Sequence, residues 1–249
     1  MSGHSKWSTI KHKKGLADAK RSKIFTKLIR EITVAARLGG GDLDGNPRLR
    51  AAVLTARGSN MSSDTIQRAI KKGSGAQEGE DYTEMTYEGY GPGNVAIVVE
   101  TLTDNKNRTA GNVRAIFTKN GGSLGTTNSV LFMFDRLGLM EVEKKDLSED
   151  QLMEYVIEGG GQDLDTQGPC YLVSSQLETF HGLKDYLDKH QVQVKSSTLA
   201  WVPKAKTEIS DKETAEKVLH FIDLLEDDDD VQKVFTNFEI TDEVVKQLS

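Results

Sequence analysis

The chain has 249 residues, of which 37% are hydrophobic and 28% charged, an ordinary globular composition with room for one large domain or two to three small ones. No apolar run approaches the roughly 20 residues a membrane-spanning helix needs, and the opening MSGHSKWSTIKHKKG lacks the apolar centre of a secretory signal. The one cysteine, Cys170, excludes an internal disulfide and a multi-cysteine zinc site, and a reducing cytoplasm is the expected compartment.

The formal net charge of −6 is unevenly spread. Residues 1–72 hold 16 Lys or Arg against 5 Asp or Glu, a balance of +11, while residues 73–249 hold 16 against 33, a balance of −17. Such asymmetry predicts one end that faces a polyanion, carried on an acidic body.

In chain order, the first block reads as helices. Ile24, Phe25, Leu28, Ile29, Ile32, Ala35 and Ala36 recur at helical spacing and fill an arc of roughly 140°. Lys20, Lys23, Lys27, Arg30 and Arg37 occupy a separate arc of about 100°, so one helix offers an apolar face and a basic face. GGGDLDGN (39–46) ends it, and Asn46-Pro47 starts a second helix, with Asn as N-cap and Pro where a missing N–H costs nothing. A third is expected to begin near Asp64, which has capping-box spacing to Gln67, and to end at Lys71-Lys72-Gly73.

After a polar linker over 74–83 the pattern changes to alternating strands and helices. Strands are expected at 95–100, 130–134, 137–143, near 163–166 and 170–174, at 192–202 and at 231–240. Helices fall around Ala110–Phe117, after Ser148, after Ser175 and after Ser210. The 137–206 stretch has the order β-α-β-β-α-β, and 94–136 joined to 211–240 repeats it, so one ferredoxin-like unit is inserted in a connection of another. The fold class is α+β: an N-terminal helical domain (1–78) followed by two ferredoxin-like α/β domains, one inserted in the other (79–136 plus 207–249, and 137–206).

The candidate site is the basic N-terminal region. Lys6, Lys11, Lys13, Lys14, Lys20, Arg21 and Lys23 are closely spaced with Trp7 and His12 among them, and the stripe continues through Lys27, Arg30 and Arg37. Cations neutralise phosphates and release counterions, and an aromatic ring can stack on an unpaired base. The mixed spacing suits tracking of a backbone better than reading of bases. YEGYGPGNV (87–95) looks like a phosphate-binding glycine loop, but a strand rather than a helix follows it, so a hairpin turn is expected. Asp104, Asn105, Asn107 and Arg108 crowd a helix start and read as capping and turn residues. Cys170, in PCYLV, reads as a buried structural cysteine, and the acidic run Glu226–Asp230 reads as a solvated helix end, with the helix stopping before its four aspartates. No catalytic set, metal site or nucleotide motif emerges; a non-enzymatic protein without cofactor is expected.

GHSKW (3–7), KIFTKLIREITVAARLGGGD (23–42), NPRLR (46–50), IQRAIKKG (66–73), YEGYGPGNVA (87–96), LTDNKNRTA (102–110) and FTKNGGSLG (117–125) closely resemble the YebC family, in the same order over nearly the whole chain. Ser62 stands where many members have Pro, and Thr127-Asn128 replaces a frequent Asp-Gly turn. The resemblance implies three domains, one helical and two α/β, and a regulator of gene expression. Members are commonly described as DNA-binding transcriptional regulators. Others act on the ribosome, including the mitochondrial activator of cytochrome c oxidase translation and bacterial relatives implicated in relieving stalling at proline runs. The expected partner is nucleic acid, either duplex DNA or ribosomal RNA, and with the latter the ribosome; neither a membrane nor a small-molecule substrate is expected.

Overall fold

The computed structural model describes residues 18–75, 82–145 and 147–248, with side chains from Ser22 onward. The described residues divide into two compact units, 31–75 with 136–145 and 147–200, and 18–30 with 82–135 and 201–248. Among the described residues no helix is long and apolar enough to cross a membrane.

In the first unit, three helices follow one another: α1 (Asp18–Gly39), whose later half belongs here, α2 (Pro47–Gly58) and α3 (Ser63–Ser74). Asn46 joins the first two. Its Oδ1 accepts from the Leu49 N–H at 3.0 Å, capping α2, while its Nδ2 donates to the carbonyls of Ala35 and Gly40 at 2.8 Å each. One buried amide thereby satisfies both an orphan donor of the incoming helix and carbonyls at the end of the outgoing one. The cap of α3 is Ser62, which accepts from Thr65 N, rather than Asp64 as the spacing suggested. Asp64 instead pairs with Arg68 one turn on. Gly73 lies so close to α1 that an added Cβ would stand 2.2 Å from the Thr33 carbonyl oxygen.

The same unit contains the inserted sheet. It consists of β4 (Phe134–Val142, of which the part from Arg136 lies here), β5 (Asp163–Asp165), β6 (Tyr171–Ser175) and β7 (Val194–Pro203, of which the part up to Ala200 lies here), with α5 (Glu149–Glu158) and α6 (Leu177–Lys189) between them. The order β5-β6-β4-β7 is the ferredoxin-like one, with β6 antiparallel to both β4 and β5. Met140, Leu152, Val156, Val173, Phe180, Leu183 and Leu187 form its core. Ser148 and Gln151 form the expected capping box. Cys170 is half-buried just ahead of β6, not enclosed as its apolar neighbours suggested.

The second unit holds a sheet of order β3-β1-β2-β9, from β1 (Thr83–Tyr90), β2 (Ala96–Thr103), β3 (Ser123–Leu124) and β9 (Val231–Thr236), with α4 (Lys106–Lys119) and α7 (Lys212–Glu226). The ferredoxin-like order is again present, but the place of its third strand is filled by β1, which precedes β2 in the chain. The strand expected at 130–134 is instead a 3-10 turn, Leu131–Met133, leading into β4. β1 escaped notice because TEMTYEGY is polar at alternate places and carries a glutamate, Glu88, that is buried. Its carboxylate accepts from the backbone N–H groups of Asn128, Val130 and Leu131 at 2.8–3.0 Å. Those bonds hold the 128–131 turn and supply the buried charge with donors.

Between β1 and β2 the chain turns through Pro92–Asn94, with Gly93 and Asn94 at positive φ (67° and 56°) and Gly91 N–H bonded to the Val95 carbonyl at 2.8 Å. This is the expected hairpin, not a phosphate loop. At the other edge Asn237 splits the expected 231–240 strand. Its Oδ1 accepts from Ala96 N–H and its Nδ2 donates to Thr207 Oγ1, handing the chain to β10 (Phe238–Ile240), parallel to β8 (Thr207–Ile209). A last helix, α8 (Asp242–Leu248), follows and had no counterpart in the sequence reading. The core runs through Val95, Ile97, Val99, Val113, Phe117, Phe221 and Leu225, with the Phe117 and Phe221 rings edge to face at 5.0 Å.

The tight passage at Gly73 supplies a test of the helical packing. Gly73→Ala forces its Cβ onto backbone that cannot yield, and should lower the unfolding free energy by about 1–3 kcal/mol, read from urea denaturation. An unchanged midpoint would mean that α1 and α3 do not pack at this distance in solution.

Candidate nucleic-acid interface

Lys23, Lys27 and Arg30 share one face of α1 at i, i+4 and i+7. That face is docked on the end of α7. Lys23 Nζ donates to the Asp227 carbonyl at 3.0 Å and lies 3.4 Å from its carboxylate. Lys27 Nζ donates to the Glu226 carbonyl, and Arg30 Nη1 to the carbonyls of Asp229 (2.8 Å) and Leu102 (3.0 Å). The reason lies in the sequence of α7, which has no basic residue in its last turn and runs into Glu226-Asp227-Asp228-Asp229-Asp230. The negative end of the helix dipole and the carboxylates crowd together there. The cations that a helix usually carries in its own last turn come from α1 instead. Arg30 also lies over the Tyr82 ring, 5.2 Å from its centroid.

Asp230 closes the arrangement and is not solvated, contrary to the reading of the acidic run. Its side chain is 3% exposed, and Arg30 meets its Oδ1 at 3.1 Å with 14% exposure of its own. Arg108 reaches both carboxylate oxygens, at 2.8–3.2 Å, and Thr109 Oγ1 donates to Oδ2 at 2.7 Å. Arg108 also pairs with Asp104 at 2.7 Å. Asn105 is the N-cap of α4, as expected, whereas Arg108 is a bridge between helix start and acidic run rather than a turn residue. Burial pushes the Asp230 carboxyl up, but the hydrogen bonds from Arg108 and Thr109 and the charges of Arg108 and Arg30 outweigh it, leaving a net depression. Burial likewise lowers Lys27, more than the nearby Glu226, Asp228, Asp229 and Asp227 raise it.

The predicted basic stripe is therefore divided. Lys6, Trp7, Lys11, His12, Lys13 and Lys14 lie outside the described residues. Lys20 and Arg21 belong to the first turn of α1, and Arg37 is half-buried in its last turn. Lys23, Lys27 and Arg30 are brought together, but against carbonyls and carboxylates of the same chain. Four cations of α2 and α3 that the stripe omitted are exposed: Arg57, Arg68, which pairs with Asp64, and Lys71 and Lys72 in the last turn of α3. Lys71 and Lys72 were legible as helix-end charges, though not as part of any surface.

Residues 5–76 match the TACO1/YebC protein N-terminal domain, and residues 82–238 match the TACO1/YebC second and third domain. The chain belongs to the TACO1/YebC family. A probable transcriptional regulatory protein of Desulforapulum autotrophicum is 53% identical over 98% of each chain. One of Syntrophobacter fumaroxidans is 48% identical over 100% of each. The crystal structure of a conserved hypothetical protein from Aquifex aeolicus superposes with a TM-score of 0.81 at 45% identity, covering 91% of this chain and 93% of that one.

The Asp230 cluster makes a pH-dependent prediction. A carboxyl depressed in the folded state stabilises the fold fully above its unfolded value, about pH 4, and loses that contribution as pH falls through the lower folded value. Asp230→Asn should cost about 3 kcal/mol at pH 7, because Arg30 is left buried without its anion. The gap to the wild type should close only below about pH 4. Denaturation series at pH 7 and pH 3 would measure this, and equal stability of the two proteins at pH 7 would refute it.

Proposed function

We propose that this chain is a non-enzymatic regulator of gene expression that binds nucleic acid through its basic N-terminal domain, residues 1–78. The carrying observation is the charge division, +11 over residues 1–72 against −17 over the rest. A polyanion is drawn to the first part and repelled by the second, which orients the approach. Relatives at about half identity over the full length are named probable transcriptional regulatory proteins, which favours duplex DNA as the target and the cytoplasm as the compartment. With Lys23, Lys27 and Arg30 engaged on α7, the cations offered to phosphate are Lys6, Lys11, Lys13, Lys14, Lys20 and Arg21 of the stripe, joined by Arg57, Lys71 and Lys72. Trp7 and His12 add rings among them.

Ribosomal RNA is the second reading. Arg57 stands in the last turn of α2 and Lys71-Lys72 in that of α3, a placement for phosphates rather than for paired contacts to base edges. Such a surface does not distinguish duplex DNA from structured RNA.

Fluorescence anisotropy on labelled duplex DNA over a salt series, with purified ribosomes as competitor, tests both. Lys11→Glu, Lys13→Glu and Lys14→Glu together should weaken binding at least tenfold. Affinity should fall with salt at a logarithmic slope of about 0.9 per phosphate neutralised. Unchanged affinity in the triple variant would refute the assignment. Binding erased by substoichiometric ribosomes would move the protein from transcription to translation.

A further inference from the structure

The α1–α7 contact sets cations of the proposed binding stripe against a row of anions in the same chain. Its three members are held unequally. Arg30 is 14% exposed and fixed by Asp230, by the Asp229 and Leu102 carbonyls and by the Tyr82 ring. Lys27 is half-buried, with its ammonium on the Glu226 carbonyl. Lys23 and its partner Asp227 are 41% and 51% exposed, in contact with water and open to exchange. The partners at the end of α7 are oxygen acceptors, the carbonyls of Glu226, Asp227 and Asp229 and the Asp227 carboxylate, set among the charges of the acidic run, and they resemble a phosphate backbone in chemistry. Asp227 and Asp229 are exposed and Glu226 is half-buried, whereas Asp228 bonds the Asp230 N–H and the Asn112 amide and belongs to the framework.

We infer that the end of α7 forms an internal competitor for the polyanion: Asp227 and the Glu226 carbonyl occupy Lys23 and Lys27 in the free protein, amid the charges of Glu226, Asp227 and Asp229, and nucleic-acid phosphates replace them on binding, while Arg30 and Asp230 keep α1 attached. This rests on the nucleic-acid reading above and adds a regulatory contact to it. Competition of this kind weakens binding to every phosphate backbone by the free energy of opening the contact, so that only ligands also engaging the rest of the basic segment are retained. It also sets a direction for charge: any change that neutralises the run increases affinity.

The test uses the full chain carrying Glu226→Gln, Asp227→Asn and Asp229→Asn, with Asp228 and Asp230 kept so that the cluster still closes. A control carries Glu149→Gln, Asp150→Asn and Glu154→Gln, three exposed carboxylates of α5, and removes the same net charge. Anisotropy on the labelled duplex used above, at fixed salt, should show binding tightened about fivefold or more by the first variant and much less by the second. Labelling of lysines with an acetylating reagent, read by mass spectrometry on the free proteins, should show Lys23 and Lys27 reacting faster in the first variant than in the wild type. Equal tightening by both variants, or unchanged labelling of Lys23 and Lys27, overturns the competitor. Failure of the wild type and both variants to bind at all overturns the nucleic-acid reading itself, and the competitor falls with it.

Discussion

A helix that runs out into a row of five consecutive acidic residues has to find positive charge somewhere. α7 places Glu226 to Asp230 at the negative end of its own dipole and has no cation in its last turn. The chain meets that demand from nearly two hundred residues away in sequence, with Lys23, Lys27 and Arg30 of α1, and from α4 with Arg108. Much of the second unit is arranged around this. β9 starts where the run ends, the Leu102 N–H at the end of β2 bonds the Asp230 carbonyl, and Thr109 in α4 points its hydroxyl at the same carboxylate. Remove Asp230 and two helices and a strand end lose a common partner.

Helices were legible in the sequence because each carries its own signals. Asn46-Pro47 and the Ser148/Gln151 capping box fall where expected. The inserted sheet was legible because its strands alternate with helices in a known order. In the other sheet the reading placed a strand at 130–134 and missed β1. VLFMF is apolar without alternation, and nothing in five residues distinguishes a buried strand from a 3-10 turn. β1 hid behind Glu88, since a glutamate in a strand suggests exposure unless the donors that satisfy it are known, and these come from residues 128–131.

The candidate site was legible as charge and illegible as geometry. Spacing established that Lys23, Lys27 and Arg30 share a helical face, but helical spacing cannot say what that face meets. The two unusual features at the far ends of the contact, the polar crowd at 104–108 and the acidic run, were both visible. Each had a sufficient local explanation, a cap and a solvated helix end. Their true relation is an ion pair between Arg108 and Asp230, which only tertiary structure reveals.

The amide of Asn46 has a consequence for which residues the chain can accept there. At an ordinary helix start Asn, Asp and Ser are nearly interchangeable, because each offers an oxygen to an N–H. Here the side chain must give as well as take, donating to the Ala35 and Gly40 carbonyls while it accepts from Leu49. Aspartate would turn an oxygen toward those carbonyls, and serine has a single hydroxyl proton and a shorter reach. A position that capping preference leaves open to several residue types is thereby narrowed to an amide, and the turn between α1 and α2 inherits its shape from that one side chain.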